Sequence, residues 1–339
     1  MENLQKAAHD AGFDGIGVTT ASPLEHMKPI LEQAKDEGRY PDFVEQDVDR
    51  RINPRSVLEN AVSVIAVAVA YKTVEPGPTP PLHGTVSRSA WGLDYHRELE
   101  KRMDQLIIFL KEHYHAKACA KAVDTSPLID RAIAIESGLG IPGDNCAVYV
   151  PPFGSWVFLG EILVDAVLPL GTTSSVPTKT CVECQACIKA CPTQALYAPG
   201  KIKPQRCISY LTQKSGQIPL EFRETIKNSL WGCDICQQAC PQNQSAKVSR
   251  HREFRPIVGP HIPLIPLLSL SNKEFKDMFG PTSMAWRGKN TVQRNACIIL
   301  GNQGHPEAVE PLRQCAASHP SDTVREAANW ALRKIESRK

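Results

Sequence analysis

The chain lacks the features that would place it in a membrane or send it across one. Met1–Gly17 carries acids and no apolar stretch of the signal-peptide kind, and the longest apolar run, Ala61–Tyr71, is too short to span a bilayer. No Gly-x-Gly-x-x-Gly follows a predicted strand, so no dinucleotide cradle is marked; Gly12-Phe-Asp-Gly-Ile-Gly17 precedes its strand instead. With 42% apolar and 22% charged residues, the composition shows none of the bias of a disordered chain. These absences lead us to expect a soluble, cytoplasmic protein with no membrane partner. At 339 residues the chain is long for one hydrophobic core, so two or three domains are expected.

Cysteine is where the chain is rich. Of its 12 cysteines, eight belong to Cys181-x2-Cys184-x2-Cys187-x3-Cys191-Pro192, to Cys233-x2-Cys236-x3-Cys240-Pro241, and to Cys207 between them. A run of four cysteines ending in Cys-Pro lets three thiolates hold one [4Fe–4S] cube while the fourth reaches across to another. Structural zinc, the competing reading, needs two close pairs and no crossing residue. The second block supplies only three thiolates. If Cys181, Cys184 and Cys187 take Cys240, the other cube has Cys191, Cys233 and Cys236, and Cys207 is the nearest candidate for its fourth ligand. Thiolates that must stay reduced until iron arrives suit the cytosol. Cys119, Cys146, Cys297 and Cys315 are isolated and read as small buried hydrophobes.

Charge is divided along the chain. Residues 1–200 hold 18 Lys/Arg against 25 Asp/Glu, and residues 201–339 hold 21 against 11, so the two parts carry −7 and +10. Such asymmetry points to a polyanionic partner for the basic part, nucleic acid being the simplest, although a solvated basic surface gives the same count.

Helical spacing of Leu4, Ala7, Ala8 and Ala11 is followed by a short strand near Ile16 and Val18, and Val62–Ala70 reads as a buried strand. After a proline-rich loop over 75–83, a long helix is predicted from about Tyr95 to His113, another over Pro127–Gly138, and a strand over Trp156–Leu168. The fold class expected is therefore α+β / α/β: an N-terminal α/β domain over 1–170, a bacterial ferredoxin-like two-cluster module over 171–250 that opens on a linker at Gly171–Lys179, and an α-helical HEAT-like repeat over 251–339. The repeat rests on Val292–Leu300 and Val324–Leu332, in which Val, Ala and Leu recur at an offset of 32 residues.

Several further motifs carry a family likeness: Trp91-Gly-x-Asp-Tyr-His96, Val123-Asp-Thr-Ser-Pro-Leu128, Gly138-Leu-Gly140, Gly143-x-Asn145, Phe158-Leu-Gly-Glu-Ile162, Arg206-Cys-Ile-Ser-Tyr-Leu-Thr212 and Trp231-Gly-Cys-Asp234. With the two cysteine blocks, they make the chain resemble, over nearly its whole length, the epoxyqueuosine reductases of queuosine-tRNA maturation. It departs from the family pattern at Asp144, which stands where that pattern has lysine.

The resemblance implies reduction of epoxyqueuosine to queuosine at the tRNA wobble position, with electrons passed through two [4Fe–4S] clusters to a base-off cobalamin. It implies Asp124 as the proton donor, with a pKa that the site would have to raise by desolvation. From pattern alone, Asp124 or Thr125 is a helix cap before Pro127. Tyr95, His96, Asn145, Glu161 and Ser209 would join Asp124 around the cofactor. No Asp-x-His-x-x-Gly is present to ligate cobalt from below. The implied partners are tRNA with a queuosine-type anticodon loop and an external electron donor, and the protein is expected to be a monomer. Lys201, Lys203, Arg206, Lys214, Arg223, Lys227, Lys247, Arg250, Arg252, Arg255, Arg287, Lys289 and Arg294 are the candidates for phosphate contacts. Two rivals stand beside this reading: a reductive dehalogenase-like corrinoid enzyme, and a non-enzymatic ferredoxin-type electron carrier.

Overall fold

The structure, a computed structural model, describes residues 1–172, 181 and 183–338; most of the expected 171–179 linker lies outside them. The chain opens with α1 (Glu2–Asp10), β1 (Gly15–Thr20), β2 (Ser63–Ala70) and β3 (His83–Val86). It continues through α2 (Tyr95–Tyr114), β4 (Cys119–Ala122), α3 (Asp130–Glu136), β5 (Val157–Val164) and β6 (Gly171–Thr172). Five of these strands form one sheet in the order β4–β5–β2–β1–β6, every neighbouring pair antiparallel.

Strand β2 reads Ser-Val-Ile-Ala-Val-Ala-Val-Ala and is buried at all eight positions. Both of its faces are covered, which is why apolar residues run on instead of alternating with polar ones. Ile65, Val67 and Val69 pack with Leu4 of α1 and with Leu99, Met103 and Leu106 of α2. Val64, Ala66 and Ala68 pack with Ala132 and Ile133 of α3. The start of α2 is set by Asp94, whose carboxylate accepts from the His96 amide. That cap satisfies an otherwise orphan donor and puts Tyr95 and His96 on the first turn.

The rest of the chain adds α4 (Ala186–Ala190), α5 (Ile208–Gln213), β7 (Ser229–Trp231), α6 (Ile235–Gln238), β8 (His261–Pro263), α7 (Lys289–Gln303), α8 (Val309–Ser318) and α9 (Asp322–Glu336). Strand β3 lies between β7, parallel to it, and β8, antiparallel. One core therefore runs from Val86 and Trp91, through Leu211, Ile226 and Leu230, into Leu264, Ile298 and Ala328. In the C-terminal repeat Val292 and Val324, then Ala296 and Ala328, are buried at the offset seen in the sequence. Helices α7 and α9 approach so closely at Gly301 that an added Cβ would come within 2.7 Å of the Ala331 backbone.

Two basic residues are withdrawn from any partner by this packing. Arg294 is fully buried and donates to the carbonyls of Leu211, Thr212, Lys214 and Gly216. Arg223 is buried against Glu326, to which it donates at 2.7 Å and 3.0 Å. Both drop out of the candidates for phosphate contacts: guanidiniums spent on buried acceptors stitch the cluster module to α7 and α9. Among the described residues no helix is long and apolar enough to cross a membrane.

Candidate functional site

The hairpin at Ile141–Tyr149 meets cysteines from both blocks. The Asp144 amide donates to Cys181 Sγ at 3.4 Å. On the other arm, Asn145 Nδ2 donates to the Tyr149 hydroxyl, which donates in turn to Cys240 Sγ, each at 3.0 Å. Cys187 lies in the first turn of α4 on the same side; burial pushes its thiol up to about 11, with Cys181 and Asp144 adding to the effect. Cys184 is exposed.

Cys191, Cys207, Cys233 and Cys236 make a second group. Burial lifts the Cys233 thiol to about 12, and Cys207, Asp234 and Cys191 reinforce it; Cys236 is raised further, by burial and then by Cys233 and Cys207. Cys236 also feels Cys187, so the two groups adjoin. Thiols held this reluctant to ionise are stable as thiolates only beside a strong positive charge, which iron provides. Among the described residues no three His, Cys, Asp or Glu groups close on the spacing of a single metal ion. Asp234, next to Cys233, is tied to the N-terminal domain: it accepts from Ser87 Oγ at 2.5 Å and from the Arg88 amide at 2.8 Å.

Beyond this centre lies a cluster of acids. Asp124 follows β4 with a positive φ of 51°, a left-handed conformation that aspartate tolerates at a cost of about 1 kcal/mol. Helix α3 begins only at Asp130 and has no side-chain cap, so neither Asp124 nor Thr125 caps it. Instead Asp124 Oδ2 accepts from the Tyr95 hydroxyl at 2.9 Å and lies 3.6 Å from His96 Nε2, an ion-pair distance rather than a hydrogen bond. His96 Nδ1 is 2.7 Å from Asp94 Oδ1. The Tyr95 ring is held between His96, at 4.0 Å, and Phe158, at 4.2 Å and within 2° of parallel.

The contacts within the chain itself favour the charged form of Asp124; the raised carboxyl that the resemblance implies would need desolvation by a bound partner. His96 first, against the opposing effect of burial, and then Tyr95 hold it below the ordinary carboxylate range. Its side chain is 66% exposed, so burial opposes the charge only in part, and closure over the carboxylate would strengthen that opposition. Burial works against the His96 cation, but the Asp124 and Asp94 carboxylates outweigh it and lift His96 to about 9.

Two further acids lie behind. The carboxylate of Asp130 accepts from the Asp124 amide at 3.2 Å; withdrawal from water, then the Asp124 charge, raises it to about 7. Glu161, on β5 between Ala66 and Ala122, is fully buried and raised well above its ordinary value by burial, then by Asp130 and Asp124. Neither of its oxygens has a hydrogen-bond partner, nor does His96 Nε2.

The structure thus gathers Tyr95, His96, Asp124 and Glu161, and it sets Asn145 and Ser209 elsewhere. Asn145 is spent on Tyr149 and on the Ala147 amide, beside Cys240. Ser209, in the first turn of α5, pairs with Gln213 at 3.0 Å. Asp94 and Asp130 escaped the sequence reading. Asp94 was legible as the cap of a predicted helix, but Asp130 acts through a loop whose shape no spacing rule describes.

Fold and site together define a two-cluster iron–sulfur protein whose cluster centre is packed against a mixed α/β domain bearing a carboxyl–imidazole–phenol group. Residues 180–243 match the family model for a 4Fe-4S double cluster binding domain, residues 51–125 that of epoxyqueuosine reductase QueG (DUF1730), and residues 288–339 that of HEAT repeats. The chain belongs to the epoxyqueuosine reductase family. It is 36% identical to the epoxyqueuosine reductase of Lactococcus garvieae (strain Lg2) over 99% of this chain and 96% of that one. Identity to that of Bacillus subtilis (strain 168) is 38%, over 98% and 87%. A crystal structure of epoxyqueuosine reductase with an epoxyqueuosine-modified tRNA-Tyr stem loop superposes with a TM-score of 0.93 at 37% identity, covering 98% of this chain and 89% of that one. The Bacillus subtilis enzyme with its catalytic aspartate loop swung out of the active site gives 0.91 at 36% identity, over 98% and 90%.

Proposed function

We infer that this protein reduces epoxyqueuosine to queuosine at the wobble position of tRNA. The observation that carries this reading is the Asp124–Tyr95–His96 group standing beside a double-cluster domain, in a chain that matches epoxyqueuosine reductases from end to end. Turning the epoxide into an alkene consumes two electrons and two protons and releases its oxygen as water. The division of labour we propose is 1–170 for cobalamin, 171–250 for the clusters and 251–339 for tRNA.

The residues fit a base-off cobalamin. A macrocycle fringed with amides needs polar partners in an otherwise apolar wall; the Glu161 oxygens, beside small Ala66 and Ala122, have no hydrogen-bond partner, and His96 Nε2 has only the ion-pair contact with Asp124. Tyr95, His96, Asp124 and Glu161 would hold it, with Asn145, already paired with Tyr149 and Ala147, and Ser209, paired with Gln213, set apart on the cluster side. When bound, the cobalamin, supplied with electrons by the clusters, provides a strong reductant at carbon.

What the chain itself does is handle the proton. At neutral pH the proton rests on His96, close to ionised Asp124, and on the Tyr95 hydroxyl. A substrate and cofactor closing over Asp124 would remove the water that now solvates it and so favour its neutral form. Asp124 then donates to the leaving oxygen, with His96 restoring the proton. Electrons come from an external donor, and the enzyme works in the cytoplasm as a monomer.

The test is a single-turnover reaction of anaerobically reconstituted protein with cobalamin, a strong reductant and epoxyqueuosine-bearing tRNA, the digested nucleosides being read by mass spectrometry. Cobalamin-dependent loss of one oxygen is expected. Asp124→Asn, with normal iron and cobalamin content, should slow conversion by about a hundredfold or more, the usual worth of a positioned acid. Full turnover in that variant would refute the assignment of the donor. Failure to bind cobalamin would favour the electron-carrier reading.

A further inference from the structure

Among the exposed apolar side chains of the described residues, two large aromatic ones meet. Phe43 is 43% exposed and Trp286 53%, and their rings approach edge-on with centroids 6.0 Å apart. Phe43 also stacks on Tyr210 at 5.2 Å. The Arg287 guanidinium lies 3.7 Å over the Trp286 ring and 5.5 Å from Phe43, and its Nε has no hydrogen-bond partner. Flat groups from a loop of the α/β domain, from α5 of the cluster module and from the turn before α7 thus share one patch.

The patch is fixed to the rim of the acid site. In the loop that carries Phe43, the Tyr40 hydroxyl accepts from Arg51 Nη1 at 3.0 Å, and Arg51 Nε donates at 3.3 Å to the carbonyl of Pro127, in the loop of Asp124. From the cluster side, Gln205 Nε2 donates to the Gly38 carbonyl at 2.8 Å and the Tyr210 hydroxyl to Asp42 at 3.0 Å. Packing explains the Phe43–Tyr210 stack, which closes this loop on the module. It does not explain Trp286, which stays about half exposed. Exposed rings interleaved with a guanidinium suit a flat, polarisable partner of negative overall charge, and the +10 balance of residues 201–339 favours the same.

We propose that Phe43, Trp286 and Arg287 form a stacking platform for an unpaired RNA base next to the nucleoside presented to Asp124. This rests on the tRNA-substrate reading and adds where the single-stranded loop is gripped. Recognition of unstacked loop bases by aromatic and guanidinium planes is the usual way proteins hold single-stranded RNA.

The experiment measures binding of the full, cluster-loaded chain to a synthetic unmodified anticodon stem-loop, intact or with one abasic site at each loop position in turn. Trp286→Ala should weaken the intact loop by roughly 5- to 150-fold, the span that loss of one base–aromatic stack covers. It should leave the salt dependence unchanged, because no phosphate contact is lost. One abasic position should weaken the wild type by a similar factor while leaving Trp286→Ala unaffected, the signature of a direct pair, and Trp286→Phe should restore most of the affinity. Iron content and circular dichroism establish that the variants are folded. Wild-type binding of the loop with no loss in Trp286→Ala, or equal losses from every abasic site in both proteins, would overturn the platform alone. Absence of wild-type binding would overturn the tRNA reading on which it stands.

Discussion

His96 shows how a few ångströms set a protonation state. Its two nitrogens face two carboxylates, Asp94 at 2.7 Å and Asp124 at 3.6 Å, and these raise it from an ordinary 6.5 to about 9. A cation whose folded pKa is raised stabilises the fold fully below its unfolded pKa and loses that contribution as pH rises through the folded value. The His96 contribution is therefore whole at pH 6, declines above about 6.5 and is gone above about 9. We expect His96→Gln to lower stability by about 2 kcal/mol near pH 6 and to match the wild type above pH 9. Anaerobic thermal unfolding of both proteins across that range checks it, and a difference independent of pH would show that His96 acts by packing. The same geometry explains why Asp124 is ionised in the free protein: the partners that orient it also favour its charge.

Short elements surround the clusters, and they borrow their order from the ligands. Helices α4 and α6 have five and four residues, too few to be stable as isolated helices, and each is flanked by or contains cluster cysteines. Cys207 sits at the start of α5, within reach of Cys191, Cys233 and Cys236. Cys207→Ala should cost about one cube's iron and visible absorbance while the other cube persists. Unchanged iron and an unchanged spectrum would leave its set without a fourth thiolate and refute the role. The region was legible in sequence as ligand spacing, yet the hairpin that touches Cys181 and Cys240 was not, because Asp144 and Tyr149 reach those sulfurs through a turn far from either block.

Taken together, the parts of the chain present their basic groups unequally. Of the cations proposed for RNA, Arg223 and Arg294 are locked inside, whereas Arg252, Lys247 and Lys227 remain partly or fully open to solvent. If about four of the open groups meet phosphates, the logarithm of affinity for a stem-loop falls with the logarithm of salt at a slope near −3.6, roughly a hundredfold weakening from 50 to 200 mM. Titration of the stem-loop at several salt concentrations checks this, and a flat response would mean that the +10 balance is solvated surface. The core from Val86 to Ile335 makes such a surface rigid: the repeat is not hung on a linker but shares its interior with Leu211 and Leu230 of the cluster module.

The sequence alone determined what depends on local order. Cluster type follows from cysteine spacing, β2 from an unbroken β-branched and alanine run, and the repeat from Val292 and Val324 in equivalent places, because each is a periodicity the chain carries wherever it folds. The tertiary structure decided what depends on segments meeting. It placed Asp130 and Glu161 behind Asp124, surrounded Asp124 with partners that favour its charge, and took Arg294 out of solvent. A pKa and an exposure are sums over neighbours in space, and those neighbours come from strands and loops whose distance along the chain says nothing of their distance in the fold.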